Sequence, residues 1–397
     1  MSRLQPFLHC LLWLSVLTAT AASGLAQEQS LDATLEPVRS QFGLPALGAA
    51  VARDGRIVAA GVVGTRILGR NLPAALDDRF HLGSDTKAMT ATLAGMMVDE
   101  GKLRWDSTIG AVLGADIPNL NPKFATITLE QLLSHSSGIP SDNDEIAALY
   151  FANPDAYDYD LTALRRRIIG DWGSRHEPKV PEGSPFQYSN LGYIVVGAMI
   201  EKVSGEPWDN LMQRRIFAPL GLNTAGLGPQ ATFGLYDAPV GHKVDGDKAT
   251  PMPWGPASDA PAVVGPAGIA HMSVRDFARW ASWNAAGGRR GPQLVKPETL
   301  ERIHRAHVKT PVIANPKPGT PKTGEYALGW GIVTFDWTGK PVLTHNGSNS
   351  MNLATVFIQP DIDLAIVAAT NFPGEKADLA LLEIIETLYR QFAPKPR

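Results

Sequence analysis

Apolar positions along this chain recur at helical spacing at both ends and in the middle, with short β-like runs beside the terminal helices. Over residues 30–42, Leu31, Leu35, Val38 and Phe42 share a helical face, and Gly43 with Pro45 ends the run. Pro37 sits inside this pattern and predicts a kink or a delayed start. Apolar runs at 47–52 and 57–63 flank an Asp54-Gly55 turn, the signature of a hairpin. A helix opening at Ser84 carries Met89, Leu93, Met96 and Met97 and closes near Gly101.

The middle third reads differently. Thr128-Leu129-Glu130-Gln131 has the form of a capping box before Leu132-Leu133. Residues 161–169 and 190–203 are further helix candidates, the second ended by Gly205. Loops rich in Pro and Gly separate them. Near the end, short apolar runs at 330–335, 341–344, 353–358 and 364–370 are divided by turns at Thr338-Gly339 and Pro360-Asp361, an antiparallel meander. A last helix over 375–392 aligns Leu381, Ile385, Leu388 and Phe392. No internal repeat is present. The pattern predicts an α+β protein: an antiparallel sheet built from both chain ends, flanked by terminal helices, with a mostly helical lobe inserted. The boundaries are 30–105 for the first part of the α/β lobe, 106–254 for the helical lobe and 255–397 for the second part.

Length and composition narrow the function. The 397 residues suffice for one large or two modest domains. A net charge of −3 offers no electrostatic footprint for nucleic acid or an anionic membrane. Residues 1–26 read as a secretory signal: Arg3, an apolar stretch over 11–26, and Gly24-Leu25-Ala26 as a small-x-small cleavage site before Gln27. That stretch is short for a membrane span of about 20 residues, so no stable anchor is expected and the protein is placed in the periplasm or outside the cell. Cys10, the only cysteine, lies within this segment. The mature chain would therefore have no disulfide, thiolate metal site or cysteine nucleophile.

Three short motifs carry the chemistry. In Ser84-Asp85-Thr86-Lys87, residues three apart share a helix face, so an amine lies beside a hydroxyl that needs a proton acceptor to become nucleophilic. Tyr188-Ser189-Asn190 precedes the 190–203 helix, where a tyrosine can aim its hydroxyl into a cleft. His345-Asn346-Gly347-Ser348 ends one strand candidate and leads toward the next. Each has an ordinary reading alone: a solvated helix face, a half-buried tyrosine, a turn with a surface histidine.

Taken in order, Ser84-x-x-Lys87, Tyr188-x-Asn190 and His345-x-Gly347 resemble the class C β-lactamase-like serine hydrolases, which include class C β-lactamases, D,D-peptidases, D-aminopeptidases and class VIII-type esterases. Residues 80–87, Asp99-Glu100-Gly101-Lys102-Leu103, 132–138, Gly265-Pro266-Ala267-Gly268 and 345–349 look like segments of the same family, and the likeness covers most of 30–390. It implies a β-lactamase/transpeptidase-like fold, a small-molecule or peptide substrate, and no cofactor or metal. It also implies roles. Ser84 would be acylated, and Lys87 and Tyr188 would share the acid and base work. The N–H groups of Ser84 and Ser348 would hold the oxyanion. Asn190 would orient Lys87 or bind a substrate carbonyl, and His345 would line the pocket. Lowering a tyrosine from about 10 to about 7 needs roughly 4 kcal/mol, with Lys87 as the expected source. Many relatives carry lysine where His345 stands. A histidine of pKa near 6.5 is only about one quarter protonated at pH 7 and holds a carboxylate less firmly, so peptidase or esterase activity ranks above β-lactamase activity.

Other arrangements carry less. Lys322-Thr323-Gly324 sits in a Pro/Lys-rich loop, and Ser141-Asp142-Asn143 would matter only in a class A β-lactamase reading that this loop disfavours. Glu206-Pro207-Trp208-Asp209-Asn210 reads as a helix start after Gly205. No Gly-x-Ser-x-Gly or His-Glu-x-x-His occurs. His304 and His307 have no third ligand nearby in sequence, and His135 and His271 are expected to satisfy local hydrogen bonds. A non-catalytic relative that binds cell-wall peptide or protein would lack Ser84, Lys87 or Tyr188, and all three are present.

Overall fold

The computed structural model describes residues 28–151, 160–246 and 248–394. The expected signal segment, with Cys10, lies outside the described residues. In chain order the first elements are β1 (Gln29–Ser30), α1 (Asp32–Phe42), β2 (Ala46–Arg53), β3 (Arg56–Gly64), β4 (Phe80–Gly83) and α2 (Thr86–Asp99). Helices follow: α3 (Ile109–Leu113), α4 (Pro122–Ala125), α5 (Leu129–Leu133), α6 (Asp144–Phe151), α7 (Leu161–Gly173), α8 (Asn190–Ser204) and α9 (Trp208–Met212). Then come β5 (Gly226–Leu227), β6 (Gly241–Asp245), β7 (Lys248–Met252), α10 (Gly265–Gly268), β8 (Ala270–Met272), α11 (Val274–Ala285) and α12 (Pro297–His304). The last are β9 (Val308–Lys309), β10 (Glu325–Tyr326), β11 (Gly331–Val333), β12 (Val342–Gly347), β13 (Leu353–Gln359), β14 (Leu364–Thr370) and α13 (Glu375–Phe392).

The chain ends build one sheet, ordered β1-β3-β2-β14-β13-β12-β11-β10-β9. Only the β1–β3 pairing is parallel. Its central strands alternate between two cores, as the two-residue period of a strand requires. Leu47, Ala49 and Val51 of β2 face α1 and α13, whereas Ala46, Ala50 and Ala52 face the core shared with α2, α8 and α11. Both faces are covered, so β14 is buried along its whole length. Small residues let the layers close: a Cβ on Gly48 would already stand 3.0 Å from Val274 Cγ1.

The antiparallel sheet, the terminal helices and the helical middle are as the pattern predicts. The capping box also forms, with Thr128 Oγ1 accepting from Gln131 N and Gln131 Oε1 from Thr128 N. Three details differ. Pro37 does not delay α1, which starts at Asp32 and continues through it, held to the sheet by the buried Leu31, Leu35 and Val38. Residues after Phe217 add a short strand and a hairpin to the helices. The strand expected to stop at 344 continues to Gly347, pairing His345 with Val356 and Gly347 with Ala354. The polar His-Asn pair resembles a turn, but the ladder with β13 is unbroken.

α13 closes the sheet's outer face through Leu381, Ile384, Ile385 and Leu388. Leu381→Ala should cost about 2–5 kcal/mol of unfolding free energy, the range for an unrefilled core cavity, as read by denaturant melts.

Candidate active site

Ser84 lies in the turn between β4 and α2. Gly83 before it has φ +49°, a backbone conformation that disfavours a side chain. Thr86 ties the turn down: its hydroxyl donates to the Gly83 carbonyl at 2.7 Å and accepts from Ala270 N of β8 at 3.0 Å. α2 is buried on all sides from Thr86 to Met97, because α8, α9, α10 and α12 pack around it. Lys87 is therefore fully buried and is no solvated helix face.

The Lys87 amine has three oxygens around it: Ser84 Oγ at 2.9 Å, Asn190 Oδ1 at 2.7 Å and the Ala267 carbonyl at 2.7 Å. Burial drives its pKa from the usual lysine value down to about 7, against the pull of the Asp142 and Asp85 charges. Near neutral pH a large fraction of this amine carries a lone pair. The Asn190 and Ala267 oxygens are acceptors only, so they take its two remaining protons and leave the lone pair facing Ser84 Oγ.

Tyr188 and Asn190 arrive together at the start of α8, where Ser189 caps the helix through Gly192 N at 3.2 Å. Asn190 has both ends engaged, with Nδ2 donating to Asp142 Oδ2 at 2.7 Å. Its Oδ1 accepts from the Lys87 amine at the other end. Tyr188 corrects the expectation of a lowered phenol: burial raises its pKa, with the Ser84 hydrogen bond pulling the other way. The physical reason is that burial disfavours the phenolate and the Asp85 and Asp142 charges add to it, while Lys87, over the ring face 4.7 Å from its centroid, is itself depleted of charge by burial. The phenol keeps its proton.

The Gly347–Ser348 backbone lies against the Gly83–Ser84 turn. A Cβ on Gly347 would come within 1.8 Å of the Leu82 carbonyl and 2.7 Å of Ser84 N, and one on Gly83 within 2.3 Å of Ser348 N. Two facing glycines thus let the Gly347–Ser348 and Gly83–Ser84 backbones pass in close contact.

His345 is buried, not a surface turn residue. Its Nδ1 donates to the Asn346 carbonyl at 2.9 Å, so Nε2 accepts from the Tyr326 hydroxyl at 3.0 Å. Burial, and then the Lys87 charge, push its pKa down to about 3. The quarter-protonated imidazole expected at pH 7 is thus a neutral one with both nitrogens occupied. It also walls, with Phe186 and Tyr326, a largely apolar cavity of about 500 Å³ that extends along the sheet toward α13.

Several supporting residues carried little sequence signal. Ser141 and Asp142, set aside as an unrelated motif, hold the Tyr188 loop: Ser141 Oγ donates to the Tyr188 carbonyl at 2.6 Å and Asp142 holds Asn190. His135 stacks on Tyr188 at 4.2 Å and accepts from Ser189 N at 3.1 Å, a local role as expected. Ala267 contributes only a carbonyl, which no side chain announces. Lys322 is exposed in the loop before β10. The His304 and His307 rings are engaged by Asn284 Oδ1 and the Arg302 carbonyl.

A two-sided sheet joined to a helical lobe, with a serine at the foot of a buried helix between them, is a β-lactamase/transpeptidase-like α+β fold. The β-lactamase family profile matches residues 31–388, so the chain belongs to the β-lactamase family, a family of serine hydrolases. It is 26% identical to Penicillin-binding protein 4 of Amycolatopsis lactamdurans over 85% of this chain and 83% of that one. It is also 26% identical to Unguisins hydrolase ungD' of Aspergillus campestris over 77% of this chain, but spans only 55% of that protein's length. Among solved structures, the octameric penicillin-binding protein homologue from Pyrococcus abyssi has a TM-score of 0.71 at 22% identity, covering 90% of this chain and 76% of that one. D-amino acid amidase from Ochrobactrum anthropi SV3 has a TM-score of 0.67 at 20% identity, covering 91% and 95%.

The depressed Lys87 pKa makes a stability prediction. The unfolded chain binds this proton up to about pH 10.5 and the folded chain only to about pH 7, so wild-type stability rises with pH between those values. Lys87→Met removes that dependence. The melting temperature of the variant minus that of the wild type should be positive near pH 6 and shrink as pH rises toward 10.

Proposed function

We propose that this protein is a secreted or periplasmic serine hydrolase that cleaves ester or amide bonds through an acyl-enzyme on Ser84, of D-amino-acid peptidase or esterase type. The observation that carries the reading is the Lys87 amine with its two acceptor-only partners and its lone pair toward Ser84 Oγ. In this mechanism neutral Lys87 takes the Ser84 proton as Oγ bonds the acyl carbon. The resulting oxyanion is held by the N–H groups of Ser84 and Ser348. Tyr188, still protonated, hands its proton to the leaving nitrogen or oxygen and regains one from Lys87. Water then attacks the acyl-enzyme with the same groups acting in reverse. Asn190 and Asp142 keep Lys87 aimed.

Substrate choice follows from the walls. Neutral His345 offers no charge to a carboxylate, which favours peptidase or esterase chemistry over β-lactam hydrolysis. A genuine β-lactamase is the second reading, supported by the family membership.

Intact mass after incubation with a penicillin separates these. A lasting adduct of whole penicillin mass, absent in Ser84→Ala, supports a penicillin-binding peptidase. Drug loss without an adduct supports a β-lactamase. Neither result leaves simple esters and D-amino-acid amides as the next substrates, and turnover by Ser84→Ala at the wild-type rate would remove the proposed nucleophile. Tyr188→Phe should lower kcat at least about 100-fold, the scale of a positioned acid. Because the neutral amine is the active form, kcat/KM should rise with pH and level off above about 7.

The extracytoplasmic placement rests on the 1–26 segment. Protein recovered from periplasm or medium should begin at Gln27, as read by N-terminal sequencing; an intact Met1 on exported protein would count against cleavage.

A further inference from the structure

Behind the two backbones that meet at Ser84 lies a polar pair that the proposed chemistry does not use. His81, in β4, has no exposed surface, and the Asp259 carboxylate is nearly as buried. His81 Nδ1 accepts from Gly83 N at 3.1 Å. Its proton must then sit on Nε2, which donates to Asp259 Oδ2 at 3.0 Å. Asp259 reaches the other way as well: Oδ1 accepts from Asn349 Nδ2 at 2.9 Å and from Ala260 N at 2.7 Å. Asn349 Oδ1 in turn accepts from Met351 N and Asn352 Nδ2. One carboxylate therefore grips the Gly83–Ser84 turn through an imidazole and the Ser348–Asn349 loop through an amide.

We infer that Asp259, with His81 and Asn349, is a positioning device that sets the spacing of the Ser84 and Ser348 N–H groups and thereby the fit of the oxyanion between them. The inference rests on the proposed acyl-enzyme reading. Thr86 ties the Gly83–Ser84 turn to β8, but β4 and β12 lie in different sheets, so no strand ladder fixes that turn against Ser348. A buried carboxylate is expensive unless its lone pairs are filled, and here donors from three separate segments fill them. The demand is specific to an acceptor-only group. An amide at 259 puts its NH2 either against Asn349 Nδ2 and Ala260 N, donor against donor, or in the Oδ2 place 3.0 Å from His81 Nε2–H, where its single oxygen must serve all three donors, His81 Nε2 at 2.9 Å among them.

The test uses hydrolysis of p-nitrophenyl butyrate, with melting curves on every variant. Asp259→Asn and the half-buried Asn349→Ala should lower kcat about 10- to 100-fold, the scale of a small misplacement of aligned groups, with KM within about twofold. The exchanged double variant Asp259→Asn/Asn349→Asp restores an acceptor for His81 Nε2 and a donor–acceptor pair between 259 and 349. Its new NH2 also faces Ala260 N–H, which loses its acceptor, so the exchange should regain a part, not all, of the lost kcat. If Asp259→Asn does not fold, Asn349→Ala decides alone. Folded variants with wild-type kcat overturn the inference. So does a loss that tracks melting temperature and is not regained by the exchange. A wild type that hydrolyses no ester, amide or penicillin and forms no adduct at Ser84 overturns the acyl-enzyme reading instead, which separates the two failures.

Discussion

Everything at this site depends on keeping the amine of Lys87 out of water. An ammonium in a dry interior loses its hydration, and three hydrogen bonds replace only part of it. Burial therefore takes the amine down to about 7, where it can act as a base. The fold achieves this by enclosing a whole helix. The first twelve residues of α2 are buried, packed by α8 and α10 and by α12. Its small and apolar residues, Ala88, Ala91 and Ala94 with Met89, Leu93, Met96 and Met97, suit a helix with no solvated face. The two-lobe architecture is in this sense the means of drying one nitrogen.

The same enclosure sets the other titrating groups. Tyr188 holds its proton and His345 loses its own, because in each case burial disfavours the charged form more than any neighbour favours it. Reasoning from charge alone takes Lys87 as a full cation and reverses the conclusion for Tyr188, whereas at His345 the Lys87 charge and burial push the same way. The consequence is a division of labour in which the amine is the proton acceptor, the phenol the donor and the imidazole a neutral wall.

Around these groups, polar atoms form a connected frame. Asp142 holds Asn190, which holds Lys87; Asp259 holds His81 and Asn349, which hold the two facing backbones. Each acid fixes a neutral partner that touches the site, and neither acid is itself bonded to Ser84. Such outer contacts fix the geometry of the reacting groups, on which rate depends steeply.

The sequence by itself determined the architecture and the principal side chains. Helical and strand periodicity survives in a single chain because each element buries one stripe or face, so α1, the β2–β3 hairpin, β13, β14, α8 and α13 were all legible. Ser84, Lys87, Tyr188, Asn190 and His345 were legible as motifs, and their order along the chain pointed to the family. Tertiary structure alone decided what those residues are electrically, since a pKa depends on burial and on neighbours from distant segments. It also decided the partners that have no motif: the Ala267 carbonyl, Tyr326 opposite His345, Asp142 behind Asn190, and the His81–Asp259 pair, whose members stand 178 residues apart. Hydrogen bonds of that reach leave no local periodicity to read, because they form only once the sheet and the helical lobe have closed on each other.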